Sequence, residues 1–378
     1  MTKPRRFLFT VAGSGPLSAD RGGAIERIVG GQVDWLAHRH EVTVFGELGP
    51  LDPRARVVPF GRRVYYKRRT ACRDLAFHAL GLTRMLRIDS DIVVSTHQRN
   101  FFLSYIYARI RRKPLLAWEL DHEFWSPPWT EIKKIYHRFV PRADLVLSIS
   151  SAQRDAMVAR GVDPGRIAIL YNPVDVRKYA PGPEPSGPPP ILYVAKFARR
   201  KNQLALLRGF AAVLEEYPEA RLRLVGPAAG LYSNAQKPPS KYCEECMNLM
   251  RRSGLSERVS VEEGITETEL VEAYRGAAVF AFPSLEEGFG LTLAEAMACG
   301  SACVSNDVDP MREVLGDTGL LVDATEPSEL GKAIVALLRD PELRRTLGRR
   351  ARERVVRHFA RDVLNERFER HALELLTG

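Results

Sequence analysis

Short apolar runs alternate with longer segments of helical spacing along most of the chain, and this pattern constrains the fold more than any other feature. In the first half the apolar runs are Phe7–Val11, Val42–Phe45, Ile92–Ser95, Leu115–Leu120 and Leu145–Ser148. The segments of helical spacing are Ala24–Ala37, Leu75–Leu86 and Phe101–Ile110. Apolar runs that are bounded by turn residues and covered by helices are typical of a buried parallel sheet. The pattern therefore predicts βαβ units and an α/β fold.

The same pattern recurs after a proline-rich segment in the middle of the chain. The strands predicted there are Ile191–Val194, Arg221–Val225, Val259–Val261, Val279–Phe282, Ala302–Val304 and Gly319–Val322, and the helices are Gln203–Glu216, Glu267–Tyr274 and Leu291–Ala298. Residues 179–190 contain too many prolines for a helix or a central strand and indicate a semi-rigid linker. We predict two doubly wound domains, over residues 1–178 and 191–355, joined by this linker. We also predict a C-terminal helix over residues 356–378, which either stays with the second domain or crosses back to the first domain.

The length and composition are those of an ordinary globular protein. The 378 residues are 45% hydrophobic and 27% charged, which excludes the disordered and fibrous classes. The five cysteines, at positions 72, 243, 246, 299 and 303, are too few and too clustered for a disulfide framework and favour a reducing compartment. No run approaches the roughly 18 apolar residues of a spanning helix, and the first apolar run is interpreted as a strand, not a signal peptide. We therefore expect a cytoplasmic protein.

Positive charge is concentrated in the first half of the chain. Residues 1–190 contain 30 Lys and Arg against 18 Asp and Glu, whereas residues 191–378 contain 26 against 28. Basic runs at 62–63, 67–69 and 111–113 could meet nucleic acid, an anionic membrane or a phosphorylated substrate, or they could be solvated faces. No nucleic-acid-binding motif accompanies them, so nucleic acid is not expected as a partner. The charge suggests an acidic or phosphate-linked partner, and peripheral association with the inner face of the cell membrane.

The most informative stretch is Pro283–Gly300, which follows a predicted strand and leads into a predicted helix. Gly288 and Gly290 allow close backbone approach, and the free N–H groups at the start of the helix predict an anion site. Glu295 lies among apolar helix residues, so its carboxylate is expected to be buried and to need hydrogen-bond donors. A ribose diol would supply two; alternatively, a basic side chain inside the domain pairs with Glu295. Glu287 lies in the loop, where it either reaches sugar hydroxyls or favours the helix N-terminus.

This stretch resembles the E-x7-E signature of the retaining GT-B glycosyltransferases of family 4, here Glu287 to Glu295. The resemblance covers nearly the whole chain. Its further motifs are Gly22-Gly23, Tyr171–Asp175, Tyr193–Asn202, Gly264-Ile265, Glu295–Gly300 and Glu313–Asp323. The resemblance implies a GT-B fold, in which two Rossmann-like domains face each other across a cleft. It also implies a hexosyl- or N-acetylhexosaminyltransferase of polysaccharide or glycoconjugate biosynthesis.

The resemblance implies a role for each position of a donor site in the second domain. Glu295 would hold the ribose of a nucleotide-diphosphate sugar, and Glu287 a hydroxyl of the transferred sugar. Lys196 and Lys201 would contact the diphosphate, where family members have Arg and Lys. Ala195 and Asn202 stand where glycines are usual. The remaining donor-binding positions are Gly264, Ile265, Gly288, Phe289, Gly290, Leu291 and Thr292 in the second domain, and Gly22 and Gly23 in the first domain.

The resemblance also places a histidine of the first domain near the reacting carbon, and His122 is the candidate. Family members often have this histidine one position earlier, where this chain has Asp121, and His97 is the other candidate. The predicted catalytic residues are His122, Glu287 and Lys201. No carboxylate is obviously placed for double displacement, so the resemblance implies front-face transfer, in which the departing diphosphate takes the acceptor proton.

Neither a metal nor a resident cofactor is expected. Asp89-Ser-Asp91 and Asp307-Val-Asp309 both spell D-x-D. Asp89 and Asp91 precede their strand and so lie at the wrong end of it, and no second oxygen cluster accompanies Asp307 and Asp309. The pair Cys243 and Cys246 lacks the two further ligands of a structural zinc site. A UDP- or GDP-linked sugar would be the co-substrate, and the acceptor would be a glycan, a lipid-linked group or a small molecule. Two alternatives are a sugar-nucleotide epimerase or hydrolase on the same fold, and a basic nucleic-acid-binding protein.

Overall fold

The computed structural model describes residues 3–11, 23–46, 53–59, 80–125, 127, 130–183, 190–227 and 239–377. Gly22, Cys72 and the basic runs at 62–63 and 67–69 lie outside these residues. The chain divides into two compact units. The first unit is Met1–Pro173 with Leu364–Gly378, and the second is Val174–Val363.

The described part of the first unit contains a seven-stranded parallel sheet in the order β3-β2-β1-β4-β5-β6-β7. Its strands are β1 (Arg6–Thr10), β2 (Glu41–Phe45), β3 (Arg56–Val58), β4 (Ile92–Ser95), β5 (Leu115–Glu119), β6 (Leu145–Ser148) and β7 (Ile167–Ile169). Its helices are α1 (Ala24–Ala37), α2 (Gln98–Arg111), α3 (Glu131–Phe139) and α4 (Ser151–Val158), and residues 80–85 are also helical. The central strands are almost entirely buried, because helices cover both faces of a doubly wound sheet.

The described part of the second unit contains a six-stranded parallel sheet in the order β10-β9-β8-β11-β12-β13. Its strands are β8 (Ile191–Val194), β9 (Leu222–Val225), β10 (Val259–Glu262), β11 (Val279–Phe282), β12 (Ala302–Asn306) and β13 (Leu320–Val322). Its helices are α5 (Gln203–Glu216), α6 (Lys241–Arg252), α7 (Glu267–Arg275), α8 (Leu291–Ala298), α9 (Met311–Leu315), α10 (Pro327–Arg339) and α11 (Pro341–His358). The prediction of two doubly wound α/β domains is confirmed. No helix within the described parts of the chain is both long enough and apolar enough to cross a membrane.

The last helix, α12 (Arg361–Glu374), begins in the second unit and is part of the first unit from Leu364 onward. Phe368 is fully buried, and its ring lies 4.8 Å from that of Trp118 and 6.1 Å from that of Phe9. The two carboxylate oxygens of Glu369 form hydrogen bonds with Trp35 Nε1 and His40 Nε2, each at 3.0 Å. The C-terminal helix is therefore a structural component of the first unit.

The residues from Val174 to β8 belong to the second unit, whereas the sequence predicted a first domain that ends at residue 178 and a linker over 179–190. The reason is a set of hydrogen bonds to their carbonyl groups. Arg352 of α11 donates to the carbonyl oxygens of Val176 and Tyr179, and Arg275 of α7 donates to that of Ala180. These guanidinium groups fix the start of the predicted linker to the second unit.

Candidate functional site

The helix α8 starts directly after a loop that leaves β11, and its start depends on a glycine. Gly290, the N-cap residue, has a φ of +88°, and a Cβ built there would lie 2.7 Å from Met311 Cε. Only glycine fits this left-handed, crowded position. No described side chain caps the helix, so the first-turn amides of Leu291 and Thr292 lack such a partner. A helix start of this kind attracts anions.

Glu295 lies on α8 and is buried, as the sequence predicted, with 4% of its surface exposed. Its Oε2 accepts a hydrogen bond from the hydroxyl of Tyr274, at 3.0 Å. Burial, and then the charge of Glu295, raise the pKa of Tyr274 well above its usual range, so this hydroxyl keeps its proton and donates. The tyrosine supplies one of the donors that a buried carboxylate needs.

Glu287 and Lys201 are 86 positions apart in sequence, and the structure joins them in an ion pair. Their side chains are only 10% and 12% exposed, so the two charges are largely removed from water. Lys201 Nζ also lies 5.6 Å from the centroid of the Phe282 ring. Two residues that the resemblance assigned to one donor are thus in direct contact.

Lys201 ends a short 3-10 turn, Arg199–Lys201, that follows β8, and Asn202 then starts α5. Asn202 has a φ of +57°, and its side-chain amide donates to the carbonyl oxygen of Ala324, at 2.8 Å. Asparagine tolerates this left-handed conformation better than most residues. The replacement of the usual glycine by Asn202 therefore preserves the turn that carries Lys201.

Lys196 and the pair Gly264-Ile265 lie at the same edge of the sheet as Lys201 and Glu287. Lys196 follows β8, and its carbonyl oxygen accepts from Gln203 Nε2 at 2.9 Å. Gly264 has a φ of +68° after β10, and Ile265 is half-buried before α7. The strands β8, β10 and β11 are parallel, so all these residues lie near the carboxyl ends of strands, where ligands bind in α/β sheets.

The aspartates of both D-x-D motifs form ion pairs with arginine side chains. Asp307 accepts from Arg312 Nε at 2.6 Å, and Asp309 lies 3.9 Å from the same guanidinium. Asp89 and Asp91 both pair with Arg6. Within the described ranges, no group of three or more His, Cys, Asp or Glu side chains is arranged to hold a metal ion.

Cys243 and Cys246 lie on α6 as buried free thiols. Burial is the largest cause that raises the pKa of both thiols, to about 12 for Cys246. A thiol that keeps its proton is a poor nucleophile and a poor metal ligand. The pair is therefore core packing.

In the first unit, His122 opens a 3-10 turn, His122–Trp125, which follows β5 after Leu120 and Asp121. Asp121 precedes it, and Asp121 Oδ1 accepts from the backbone N–H of Glu123 at 2.9 Å. Burial raises the pKa of Asp121. His122 thus occupies the carboxyl end of a central strand, the position expected of a ligand-binding residue.

Gly23 is the N-cap of α1, and a Cβ there would lie 2.6 Å from Glu26 Oε2.

Sequence reasoning missed Glu119, the last residue of β5. Its side chain is buried and accepts hydrogen bonds from Gln98 Nε2 at 3.3 Å, Trp125 Nε1 at 3.0 Å and the Tyr136 hydroxyl. Burial raises the pKa of Glu119 to about 7, and the three hydrogen bonds oppose that rise. The available signal was a single acidic residue within the apolar run Leu115–Leu120.

Two family models match consecutive parts of the chain. The model of the Glycosyltransferase Family 4 matches residues 22–178, and that of the Glycosyl transferases group 1 matches residues 177–354. A D-inositol 3-phosphate glycosyltransferase of Streptomyces bingchenggensis is 30% identical over 226 residues, which are 56% of this chain and 49% of that protein. One of the same name from Corynebacterium efficiens is 26% identical over 89% of this chain and 87% of its own length. The chain spans about half the length of the first of these relatives.

Solved structures match nearly the whole chain at low sequence identity. HepE of Anabaena, solved with UDP and glucose, has a TM-score of 0.74 and 19% identity over 97% of this chain and 99% of its own. A sucrose-phosphate synthase of Thermosynechococcus elongatus has a TM-score of 0.78 and 19% identity over 99% of both chains. The predicted GT-B fold is thereby confirmed.

Proposed function

Because the chain belongs to the family 4, group 1 glycosyltransferases, we propose that it transfers a hexosyl or N-acetylhexosaminyl group, with retention, from a nucleotide-diphosphate sugar to a hydroxyl acceptor. One observation carries the proposal. The second unit brings Lys201 and Glu287 into contact at the sheet edge from which α8, with its uncapped first turn and Glu295, also begins. A cation, free helix amides and two carboxylates match the diphosphate, the ribose and the sugar of one donor.

Each donor group is assigned to residues of the second unit. Lys196, Lys201 and the first-turn amides of α8 take the diphosphate oxygens. Glu295 accepts from the ribose hydroxyls, and Glu287 accepts from a hydroxyl of the transferred sugar. Support for this assignment comes from the burial of Glu295 and from the contact between Lys201 and Glu287.

The proposed reaction is front-face transfer without a metal. The bond between the anomeric carbon and the diphosphate oxygen breaks, the acceptor oxygen bonds to the same face of that carbon, and the departing diphosphate takes the acceptor proton. Negative charge grows on the diphosphate as the bond breaks, so Lys201, Lys196 and the helix amides stabilise the transition state more than the ground state. The arginine partners of Asp307 and Asp309 support metal independence, because a cation already neutralises these carboxylates.

The acceptor is assigned to the first unit, together with His122, at the carboxyl end of β5. The relatives named D-inositol 3-phosphate glycosyltransferases and the positive charge of residues 1–190 both favour a phosphate-bearing acceptor. A soluble phosphorylated polyol is the first acceptor to test. A glycan and a lipid-linked phosphate are the others.

We also propose that the first unit associates with anionic membrane from the cytoplasmic side. Phe102 and Ile110 on α2 and Ile135 on α3 are large exposed apolar side chains. Arg111 ends α2, and Arg112 and Lys113 follow it. Apolar anchors beside basic residues suit an anionic bilayer surface. Sedimentation with vesicles of anionic or neutral lipid tests this, and equal sedimentation with both would contradict it.

A thermal-shift panel of UDP, GDP and their sugar conjugates identifies the donor, because a ligand that binds the folded state raises its melting temperature. The transfer reaction is then followed by NMR, and a product with the anomeric configuration of the donor is expected. Turnover of the donor without an acceptor would instead support an epimerase or hydrolase. Activity that persists in excess chelator supports metal independence, and its loss contradicts it.

A further inference from the structure

Among the described carboxylates of the first unit, Glu119 is the one that is buried, and the proposed reaction does not use it. It accepts three hydrogen bonds, and each donor comes from a different segment. Gln98 starts α2, Trp125 ends the turn after β5, and Tyr136 lies on α3. A carboxylate out of water needs such donors to offset its desolvation. Glu119 therefore fixes three segments relative to the end of β5.

One of these segments carries His122. The turn His122–Trp125 is tied at its end by the bond from Trp125 Nε1 to Glu119 Oε2, at 3.0 Å. The His137 ring stacks on the Trp125 indole, at 4.7 Å between centroids. Lys133 donates to the carbonyl oxygen of Glu123 in the middle of the turn. Glu119 thus links the turn to the sheet, while Lys133 and His137 of α3 contact the turn from the side of that helix.

We propose that Glu119 is a positioning residue for transfer, which sets the place of His122 by anchoring Trp125 and Tyr136. The inference rests on the proposed function and goes beyond it, because Glu119 touches neither donor nor acceptor. Small displacements of a group near a reacting carbon cost large factors in rate. Losing the anchor lowers kcat and leaves the affinity for a nucleoside diphosphate unchanged, since Lys196, Lys201 and Glu295 lie on the second unit.

The two oxygens of Glu119 have different neighbours, and this defines a matched control. Oε2 accepts from two N–H groups, of Gln98 and Trp125, which can only donate. Oε1 faces the Tyr136 hydroxyl, which can donate or accept. The nearby titratable groups are Tyr136 on α3 and Asp121 in the loop after β5. A glutamine reproduces the arrangement, with its oxygen toward Trp125 and its NH2 toward Tyr136.

The test compares Glu119→Gln, Glu119→Ala, Trp125→Phe and His122→Ala in a transfer assay, and measures nucleoside diphosphate affinity by calorimetry. We expect Glu119→Ala and Trp125→Phe to lower kcat about tenfold or more, with the nucleotide Kd unchanged within about twofold. Glu119→Gln is expected to keep kcat within about threefold of the wild type. The double variant Glu119→Ala/His122→Ala is expected to be no slower than His122→Ala alone, because residues that act as a unit are not additive.

Several results would overturn the inference. If the losses of Glu119→Ala and His122→Ala multiply, Glu119 acts independently of His122. If Glu119→Gln loses as much kcat as Glu119→Ala, the hydrogen-bond pattern is irrelevant. If Glu119→Ala does not fold, Trp125→Phe decides, and an unchanged kcat there overturns the proposal. A folded wild type that turns over no sugar nucleotide would overturn the proposed function itself, together with this inference.

Discussion

At the scale of single residues, the ion pair between Lys201 and Glu287 sets the charge balance of the candidate donor site. Both side chains are mostly buried, so each charge depends on the other for compensation. An incoming diphosphate brings a second and stronger partner for Lys201. Glu287 then becomes available to a hydroxyl of the sugar. When the donor binds, Lys201 is therefore expected to exchange Glu287 for the diphosphate as its partner. Neither Lys201 nor Glu287 is then left as a buried charge without a partner.

Replacing Lys201 with Met should weaken binding of a nucleoside diphosphate about tenfold or more, because a hydrogen bond to a charged group is worth about 1.5–3 kcal/mol. Lys332→Met is the matched control, since Lys332 pairs with Glu329 on the exposed face of α10 in the same unit. Calorimetry with the nucleoside diphosphate measures both variants. Equal affinities for Lys201→Met and Lys332→Met would contradict the assignment.

Replacing Glu295 with Ala should remove a preference for ribose over 2′-deoxyribose. The buried carboxylate is assigned to the ribose hydroxyls, and a charge-assisted hydrogen bond gives about a tenfold preference or more. The affinities of a nucleoside diphosphate and of its 2′-deoxy analogue are compared in both proteins. The wild type should discriminate and the variant should not. Tyr274→Phe removes the neighbouring hydroxyl and should keep the preference; a wild type without preference would exclude the role.

The stability of the first unit should depend on pH through Glu119. Folding raises the pKa of this carboxyl from 4.5 to about 7, so the folded chain binds the proton more tightly than the unfolded chain does. Its contribution to stability is therefore full below pH 4.5 and is lost as pH rises to about 7. Glu119→Gln cannot titrate, so its free energy of unfolding relative to the wild type should increase between pH 5 and pH 7.5. Denaturant unfolding at the two pH values measures this, and a constant difference would disprove it.

At the scale of elements, the two helices of the candidate donor site begin in a similar way. Both α5 and α8 start after a residue with a left-handed backbone, Asn202 and Gly290, and neither N-cap residue caps its helix with a side chain. In α5 the backbone N–H of Leu204 donates to the Tyr242 hydroxyl, at 3.3 Å. In each case the chain leaves a strand end, turns sharply and points its first amides along the sheet edge. The positive ends of both helix dipoles are then available to a diphosphate.

Gly290→Ala should impair both stability and donor binding. The left-handed φ of +88° costs an alanine about 1–2 kcal/mol, and its Cβ would also meet Met311 Cε at 2.7 Å. Gly161→Ala is the control, because Gly161 has a φ of +85° and nothing lies within 4 Å of a Cβ there. Both variants should lose stability in denaturant titrations, Gly290→Ala more. Only Gly290→Ala should bind the nucleoside diphosphate more weakly; equal binding by both would show that the start of α8 is not used.

The sequence predicted elements that are encoded locally and missed features that depend on distant contacts. Buried strands such as Ile191–Val194 are uninterrupted apolar runs, and their bounds were predicted as observed. The short strands β3 and β7 were missed, because each has only three residues and neither is fully buried. The roles suggested for Glu287 and Lys201 came from motifs, but their contact spans 86 positions and is set by the fold. The hydrogen bonds of Glu119 could not be predicted from the sequence for the same reason, because their donors lie on separate segments.

At the scale of the whole molecule, the order of the chain and the division into units do not coincide. The first unit takes its last helix from the end of the chain, after the second unit is complete. Phe368 fills a place between Phe9 of β1 and Trp118 of β5, so α12 covers the central strands of the first sheet. The loop that carries His122 follows β5 directly. The stability of the proposed acceptor side thus depends on residues more than 200 positions away from it.

Phe368→Ala should destabilise the first unit selectively. A buried aromatic ring replaced by alanine costs about 3–5 kcal/mol, and here the ring is fully buried against Phe9 and Trp118. Phe368 is not part of the second unit, Val174–Val363, so the affinity for a nucleoside diphosphate should stay unchanged. Transferase activity should be lost at a lower temperature than in the wild type. Calorimetric scans with and without the nucleotide measure this: the transition that the nucleotide does not shift should move to lower temperature in the variant. Glu366→Ala, at an exposed position of the same helix, should leave both transitions in place. An equal fall of both transitions in Phe368→Ala would mean that the two units unfold as one.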